Sequence, residues 1–312
     1  MATSSANVTL RNGSVVPAIA FGSGTKWYAT KQDAKEAAEG DGPVVSREVV
    51  DSIKRALHAG IRHLDTAEMY DTEDEIGAAI HEFLAESGLE RSDLYITSKI
   101  FTGATDVRGT LTHALSRLQL DYLDQYLLHT PFIEDIPDNT KTLGEIWAEI
   151  EAVHRDGLVR DIGVSNFGIP HLEVLREDAT IFPLVNQIEF HPLLQQRELA
   201  EYAKEHGVTL ASYAPLTPLT VSADKVDAAV LDALKEALDA IADRTGKTRA
   251  QVLLRWNLQK GRVVVSTTGN AKRLAALVDV QEFELTEDEV QTIDAAGETA
   301  SFRKFWDDKK FD

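Results

Sequence analysis

The stretch Ile61-Arg62-His63-Leu64-Asp65-Thr66-Ala67-Glu68-Met69-Tyr70 begins as a short apolar run and ends in a carboxylate and a phenol. The run predicts a buried strand, and Asp65 stands where that strand ends. Two further apolar runs end in the same way, one at Lys99 and the other at His129. Parallel barrels gather reactive side chains at the carboxyl ends of their strands, so this pattern predicts one common site.

Short apolar runs alternate with longer amphipathic segments along the whole chain, which predicts the α/β class. Strands are predicted at 18–22, 61–65, 94–99, 123–129, 161–165, 184–188, 209–213 and 263–266. Helices are predicted at 46–59, 73–87, 106–118, 142–155, 170–177, 196–206 and 248–259. Eight strands close a (β/α)8 TIM barrel. Because no linker-like stretch divides the chain, we expect residues 1–312 to form a single barrel domain.

Three segments stand outside this alternation. Residues 8–16 read as an N-terminal β-hairpin with Asn12-Gly13 in a two-residue turn, and we expect it to close the bottom of the barrel. Residues 224–245 and 286–296 predict two extra helices, the second with a capping pattern at its start. Residues 26–45 are polar and predict a long loop of the kind that often covers an active site.

Composition narrows the classes of partner and compartment. The 312 residues include no cysteine, so neither disulfides nor thiolate chemistry is available. The formal net charge of −19 disfavours nucleic acid and anionic membranes as partners. No stretch approaches the roughly 20 apolar residues of a membrane span, and the N-terminus does not read as a signal peptide. We therefore expect a cytoplasmic protein, and we expect it to be a monomer.

The reactive residues at the strand ends suit acid catalysis on a carbonyl group. A tyrosine has a reference pKa of about 10, and a neighbouring cation lowers that value. Lys99 is expected to supply the cation, with Asp65 holding it, and Tyr70 is expected to fold back over the barrel mouth. His129 is suited to donate a hydrogen bond to a carbonyl oxygen. Alone, the Asp–Lys pair reads as a structural salt bridge and the histidine as a core residue.

The hydride must come from a cofactor, since no side chain donates hydride. No Gly-x-Gly-x-x-Gly follows a predicted strand, which argues against a dinucleotide-binding open sheet. In a barrel, phosphate binds near the last two strand ends, and residues 265–270 with Arg273 suit that role through hydroxyls, backbone N–H groups and the guanidinium. Side chains suited to a carboxamide and to ring stacking follow earlier strands, at Ser165, Asn166, Gln187 and Tyr213.

The ordered motifs resemble those of the aldo-keto reductase superfamily. They are Gly60–Ala67 with Tyr70, Thr97–Lys99, Leu128–Pro131, Gly163–Phe167, Asn186–Glu189 and Ser212–Leu216. The resemblance runs from about Val8 to Ala296. It implies a (β/α)8 barrel that binds NADPH without a Rossmann fold and reduces aldehydes or ketones, with no metal site.

The resemblance also implies a role for each matching residue. Tyr70 corresponds to the general acid, Asp65 and Lys99 to the pair that tunes it, and His129 to the group that orients the carbonyl. The implied cofactor contacts are Gly22, Ser23, Gly24, Ser165, Asn166, Gln187, Tyr213, Leu216, Ser266, Thr267, Thr268 and Arg273. The expected substrate contacts are Trp27, His129, Thr130 and Phe132.

Departures from the family pattern refine these expectations. Thr267-Thr268 replaces a Lys–Ser pair that many members use for the 2′-phosphate of NADPH, yet Arg273 and Lys272 remain, so NADPH is favoured over NADH. Thr130 replaces a pocket tryptophan, which implies a roomier or more polar substrate site. Residues 21–28 with 129–132 resemble the fungal branch that reduces α-keto amides, diketones and conjugated polyketones. The aromatic tail 302–306 either borders the substrate pocket or packs for stability.

Two alternative functions remain open from the residues alone. Some barrels of this kind serve as regulatory or binding subunits, and such a protein would leave nicotinamide absorbance unchanged. A metal-dependent barrel hydrolase is the other alternative, because His63 and Asp65 share a strand face and His129 and His191 offer further ligands. Asn166 and Gln187 have no role in such a metal site.

Overall fold

A computed structural model describes residues 7–38 and 44–311, and its centre is a closed barrel of eight parallel strands. The strands are β1 (Asn7–Thr9), β2 (Val15–Pro17), β3 (Ile19–Gly22), β4 (His63–Asp65), β5 (Tyr95–Ile100), β6 (Leu123–Leu128), β7 (Val159–Ser165), β8 (Val185–Glu189), β9 (Thr209–Tyr213) and β10 (Val263–Ser266). The barrel order is β10-β3-β4-β5-β6-β7-β8-β9, and the barrel closes where β10 pairs with β9. The predicted (β/α)8 barrel is therefore confirmed.

Burial on both faces explains why the barrel strands read as continuous apolar runs. Every residue of β5 and β6 is buried, because one face fills the barrel and the other is covered by helices. Between helices and strands lie large side chains such as Trp147 and Trp256, both at most 1% exposed. The main hydrophobic core therefore forms a ring around the barrel.

The helices are α1 (Lys26–Ala37), α2 (Arg47–His58), α3 (Glu73–Ser87), α4 (Val107–Leu118), α5 (Leu143–Arg155), α6 (Ile169–Asp178), α7 (Arg197–Glu205), α8 (Ala228–Thr245), α9 (Arg249–Gln259), α10 (Ala271–Asp279) and α11 (Glu287–Ala296). Apart from α1 and α10, the helices lie within a few residues of their predicted positions. Thr286 and Glu289 form the expected capping box of α11. The two predicted extra helices, α8 and α11, are linked by Arg244 and Glu289. Within the described ranges, no helix combines the length and apolarity that crossing a membrane requires.

Helix α1 replaces the long loop expected at 26–45. Its apolar pattern is weak, but Trp27 and Lys31 are buried, and Lys31 Nζ lies 2.6 Å from Glu75 Oε1 on α3. This long-range ion pair and the buried indole hold a polar segment in a helix, which local periodicity does not reveal. The Gly-Pro part of the expected loop, residues 40–43, lies outside the described residues.

The N-terminal hairpin closes the amino end of the barrel, as predicted. Leu10 and Val16 pack against residues at the strand starts, including Tyr95 and Leu184. The turn differs from the expected two-residue form. Leu10 N–H donates to Ser14 O, so the turn holds three residues ending in Gly13, whose φ of +90° suits glycine. With this end closed, the carboxyl ends of the strands open onto the functional cavity.

Candidate active site

An elongated cavity lies at the carboxyl ends of the barrel strands. Its larger part has a volume of about 740 Å³ and is lined by Asp65, Tyr70 and His129, together with the ends of β7 to β10. A second part of about 550 Å³ adjoins it. Both parts are bordered by Leu216, Thr220, Ser266 and Thr267, so they form one continuous trough.

Asp65 and Lys99 form a buried ion pair at the ends of β4 and β5. Lys99 Nζ lies 2.6 Å from Asp65 Oδ1 and donates a second hydrogen bond to the Thr66 carbonyl at 2.9 Å. The side chain of Gln187 donates to the other carboxylate oxygen at 2.8 Å. All of these groups are at most 4% exposed, so the carboxylate has partners on both oxygens and the pair is rigidly positioned.

Tyr70 folds back over this pair, as the sequence predicts. It ends a 3₁₀ turn, and the next residue, Asp71, adopts a left-handed conformation with φ 55°. The Tyr70 hydroxyl lies 3.4 Å from His129 Nε2, and Lys99 Nζ lies 5.0 Å from the centroid of the phenol ring. A Cβ atom on Gly24 would lie 3.0 Å from this ring, so glycine permits the close packing.

The electrostatic environment of Tyr70 differs from the expectation. Burial, with a further contribution from the Asp65 carboxylate, raises the pKa of Tyr70 above its ordinary value. The expected lowering by Lys99 does not prevail, because the Asp65 charge opposes that of Lys99 and desolvation disfavours a phenolate. The tyrosine is therefore a protonated hydrogen-bond donor at neutral pH.

The two neighbouring bases are also shifted. Burial, and secondarily the charge of Lys99, lowers the pKa of His129 well below its usual value, so the imidazole is neutral. Burial lowers the pKa of Lys99 as well, although its bond to Asp65 opposes that change. A neutral imidazole still carries one N–H group, which suits the donation of a hydrogen bond to a carbonyl oxygen.

The predicted carboxamide ligands form one network beside the quartet of Asp65, Tyr70, Lys99 and His129. Tyr213 OH donates to Asn166 Oδ1 at 2.7 Å, and the Asn166 amide donates to the His129 carbonyl at 2.9 Å. Ser165 Oγ donates to the Gln187 carbonyl at 2.8 Å. Asn166 has a φ of 62°, which asparagine tolerates better than most residues. The network brings these side chains to the wall of the larger cavity.

The phosphate-binding candidates lie at the other end of the trough. Thr268 and Arg273 line the second cavity, and Ser266 and Thr267 border both parts. Two backbone N–H groups at the start of α10, those of Lys272 and Arg273, are not free as expected, because the Asn270 side chain accepts hydrogen bonds from both. The hydroxyls and cationic side chains at this end are further groups suited to a phosphate.

Lys26 is a further cation at this end that the sequence reasoning did not select. Its Nζ would lie 3.1 Å from a Cβ atom placed on Gly269, and its side chain is 47% exposed. The signal in the sequence is its position directly after the Gly22–Thr25 motif. The trough thus offers amide groups at one end and cations at the other, a donor set that fits a phosphorylated dinucleotide.

Four predicted contact residues lie outside the lining of the trough. Ser23 is 1% exposed and accepts a hydrogen bond from Thr72. Trp27 is fully buried, with its Nε1 donating to Thr267 Oγ1 at 2.7 Å, and Thr130 is also fully buried. Phe132 is covered by the rings of the C-terminal tail, at 6.3 Å from Trp306 and 5.3 Å from Phe311. Four residues that were not predicted line the larger part of the trough instead, namely Tyr28, Met69, Phe305 and Trp306.

The ligands proposed for the metal-dependent alternative have other partners. The nitrogens of His63 contact Pro17 O at 3.1 Å and Thr97 Oγ1 at 2.8 Å. His191 Nε2 lies 2.9 Å from Glu189 Oε1. Across residues 7–38 and 44–311, no group of three His, Asp or Glu side chains has an arrangement that could hold a metal ion.

Comparison with known proteins agrees with this architecture. Residues 27–298 match the aldo/keto reductase family. The chain is 39% identical over 251 residues to glyoxal reductase of Bacillus subtilis, covering 80% of this chain and 83% of that protein. It is 36% identical over 303 residues to an NAD/NADP-dependent indole-3-acetaldehyde reductase of Schizosaccharomyces pombe, covering 95% and 98% of the two chains. A Bombyx mori aldo-keto reductase, solved in complex with NADP, superimposes with a TM-score of 0.80 at 29% identity, covering 97% and 96% of the two chains.

The fold and the strand-end site define a barrel oxidoreductase. The chain belongs to the aldo/keto reductase family, whose members are NAD(P)H-dependent oxidoreductases.

Proposed function

We propose that this protein is an NADPH-dependent carbonyl reductase in which Tyr70 is the general acid. The convergence of Tyr70, His129 and Asp65 on one cavity wall, with Lys99 buried behind the Tyr70 ring, carries the proposal. The Tyr70 hydroxyl and His129 Nε2 are 3.4 Å apart, so one carbonyl oxygen can accept hydrogen bonds from both side chains.

Each residue of this group has a distinct task. A bound reduced nicotinamide supplies the hydride. Tyr70, protonated at neutral pH, gives its proton to the oxygen as negative charge develops there. His129, neutral because it is buried beside Lys99, orients that oxygen by donating a hydrogen bond. Lys99, held by Asp65, stabilises the tyrosine as the proton leaves it.

Two features favour NADPH as the cofactor. The Bombyx mori structure contains NADP, and a further aldo-keto reductase, 30% identical with a TM-score of 0.83, is complexed with NADPH. Lys272 and Arg273 line the end of the trough where the 2′-phosphate is expected, and Lys26 lies near Gly269 in the adjoining loop. Ser165, Asn166 and Gln187 would hold the carboxamide, and Tyr213 would stack on the nicotinamide ring.

We further propose that the substrate is an activated carbonyl compound of the α-keto or diketone type, as in the fungal branch that the sequence resembles. The Bacillus subtilis relative is named for glyoxal, a vicinal dialdehyde, and the Schizosaccharomyces pombe relative for an aryl acetaldehyde. The aromatic lining by Tyr28, Phe305 and Trp306 suits a planar substituent beside the carbonyl group. We also propose that the protein acts as a cytoplasmic monomer.

The test is the oxidation of NADPH in the presence of a vicinal diketone, compared between wild type and Tyr70→Phe. We expect the variant to lose about 10²- to 10⁴-fold in kcat, which is typical of removing a general acid, while its affinity for NADPH is unchanged. Undiminished turnover in a correctly folded variant would refute the role of Tyr70. No change in nicotinamide absorbance with wild type would instead favour a binding or regulatory barrel.

A further inference from the structure

The C-terminal strap, residues 302–311, crosses the mouth of the cavity. Lys304, Phe305, Trp306 and Asp308 of the strap line the larger part of the trough. The Phe302 N–H donates to Leu193 O at 2.8 Å, which fixes the start of the strap on the barrel. The strap therefore forms part of the wall that a substrate meets.

Glu189, the last residue of β8, anchors this strap. Its carboxylate is fully buried and accepts hydrogen bonds from the backbone N–H of Lys304 at 3.0 Å and of Phe305 at 2.9 Å. His191 Nε2 lies 2.9 Å from the same carboxylate. A buried carboxylate requires such partners, and here two of them are backbone groups of a segment more than 100 residues away.

Trp306 follows directly after the anchored residues in an unusual conformation. Its φ of 58° lies in the left-handed region, which bulky side chains rarely adopt. Such a conformation persists only where the surroundings determine it, and it occurs most often at functional sites. The indole lies edge-on to His129, with ring centroids 6.4 Å apart, and also contacts Phe101 and Phe132.

The residue after His129 contributes no large side chain to the cavity. Thr130 is fully buried, and its hydroxyl accepts a hydrogen bond from Phe132 N, so it presents no wall to the substrate. Besides Tyr70, Trp306 of the strap provides the aromatic surface next to His129. The size and shape of the substrate space therefore depend on where the strap is held.

We propose that Glu189 is a positioning residue of the active site, whose hydrogen bonds to Lys304 and Phe305 hold Trp306 as the wall that selects the carbonyl substrate. The proposal rests on the carbonyl reduction proposed above. It adds that substrate selection is controlled from a buried carboxylate that touches neither cofactor nor substrate.

The first experiment compares Glu189→Gln with wild type. Glutamine keeps one acceptor oxygen but turns an NH2 group towards backbone N–H groups, so the strap should detach. We expect faster tryptic cleavage after Arg303 and Lys304, and a KM for a vicinal diketone raised about tenfold. The KM for NADPH should stay within about twofold, since Tyr213 keeps its hydrogen bond to Asn166 when Phe305 leaves its ring.

The matched control is Glu151→Gln. Glu151 is also a buried carboxylate that accepts a backbone N–H, that of Ile181 at 2.7 Å, but it lies on α5 outside the cavity. We expect normal tryptic stability of the strap and normal KM values. An equal KM change in this control, or an unchanged strap in Glu189→Gln, would overturn the proposal.

The second experiment replaces the ring without disturbing the anchor. Glycine adopts a left-handed φ readily, so Trp306→Gly removes the indole and keeps the backbone conformation, whereas Trp306→Phe keeps an aromatic wall. We expect Trp306→Gly to raise the kcat/KM ratio of benzil over glyoxal about tenfold, and Trp306→Phe to change it little. An unchanged ratio in Trp306→Gly would overturn the selecting role.

These experiments separate failure of the inference from failure of the proposed function. If wild type oxidised no NADPH with any carbonyl compound, the proposed function would fail in the unmutated protein. Tryptic cleavage would still measure the anchoring of the strap by Glu189. Quenching of indole fluorescence on diketone binding would still measure the contact of Trp306 with the diketone. If wild type is active, the inference fails only through the comparisons between variants.

Discussion

The strand-end layer of the site and its rim are built in different ways. The strand-end layer, which includes Asp65, Lys99, Ser165 and Gln187, is at most 4% exposed and is held by mutual hydrogen bonds. The rim consists of α1 and the C-terminal strap. It presents partly exposed side chains to the cavity, such as Tyr28 and Trp306.

The difference lies in how each region is anchored. A strand-end residue is positioned by the barrel itself, so its removal disturbs chemistry and stability together. The rim is attached through a few distant contacts, namely the Lys31–Glu75 pair under α1 and the hydrogen bonds of Glu189 to the strap. Substitutions in the rim are therefore expected to change cofactor choice or substrate range while the barrel stays intact.

The largest effect is expected from Lys99→Met. Breaking a buried ion pair costs about 3–5 kcal/mol of unfolding free energy, because Asp65 is left with an uncompensated charge. We expect this loss in chemical denaturation, together with a loss of kcat of at least about 100-fold.

Lys31→Met is the matched variant of the rim anchor. Its pair with Glu75 is equally buried, with an N–O distance of 2.6 Å in both pairs, but it lies outside the trough. We expect a similar loss of stability with turnover retained. If the two variants lost kcat equally, the distinction between strand-end layer and rim would not hold.

A pH-dependent loss of stability is expected from the barrel interior. Burial lowers the pKa of His63 from 6.5 to about 4. Below pH 6.5 the unfolded chain binds a proton that the folded protein does not, so stability falls as the pH drops from 6.5 towards 4. The total is about 3 kcal/mol, at about 1.4 kcal/mol per pH unit.

Urea denaturation of wild type and His63→Gln between pH 7 and pH 4.5 measures this contribution. We expect the variant to lose less stability on acidification than wild type does. His113→Gln, at an exposed histidine on α4, should follow the wild-type profile. If wild type and His63→Gln lost the same stability on acidification, His63 would not be the source of the pH dependence.

A smaller effect is expected from Lys26→Ala at the rim. Removing one partly exposed cation near Gly269 should raise the KM for NADPH about five- to tenfold. The KM for NADH should be unchanged, because NADH has no 2′-phosphate. Initial rates with the two cofactors measure the difference, and an equal change for both would show that Lys26 does not discriminate between them.

The smallest signal is expected from the titration of Tyr70 in the cofactor-free protein. Because burial and Asp65 raise its pKa, Tyr70 should remain protonated up to at least pH 10. The phenolate absorbance of wild type and Tyr70→Phe should therefore coincide up to that pH, since the other tyrosines titrate in both proteins. If wild type showed more phenolate than Tyr70→Phe near neutral pH, the pKa of Tyr70 would be lowered by Lys99, as expected from the sequence.

The amino-acid sequence by itself determines the barrel and the chemistry at its strand ends. Continuous apolar runs predict buried parallel strands, and a reactive residue at the end of a run occupies the mouth whatever the loops do. This pattern predicts Asp65, Lys99, His129 and Gln187 as site residues, and the short spacing from Asp65 predicts Tyr70. The order of the motifs along the chain also indicates the aldo-keto reductase family.

Only the tertiary structure decides the walls and the electrostatics. Contacts between residues far apart in the chain determine helix α1, the burial of Trp27 and the position of Trp306. The local hydrophobic periodicity of the sequence does not reveal such contacts. The direction of the Tyr70 pKa shift depends on the balance of desolvation and two opposed charges. That balance is set by distances that exist only after the strands have closed into a barrel.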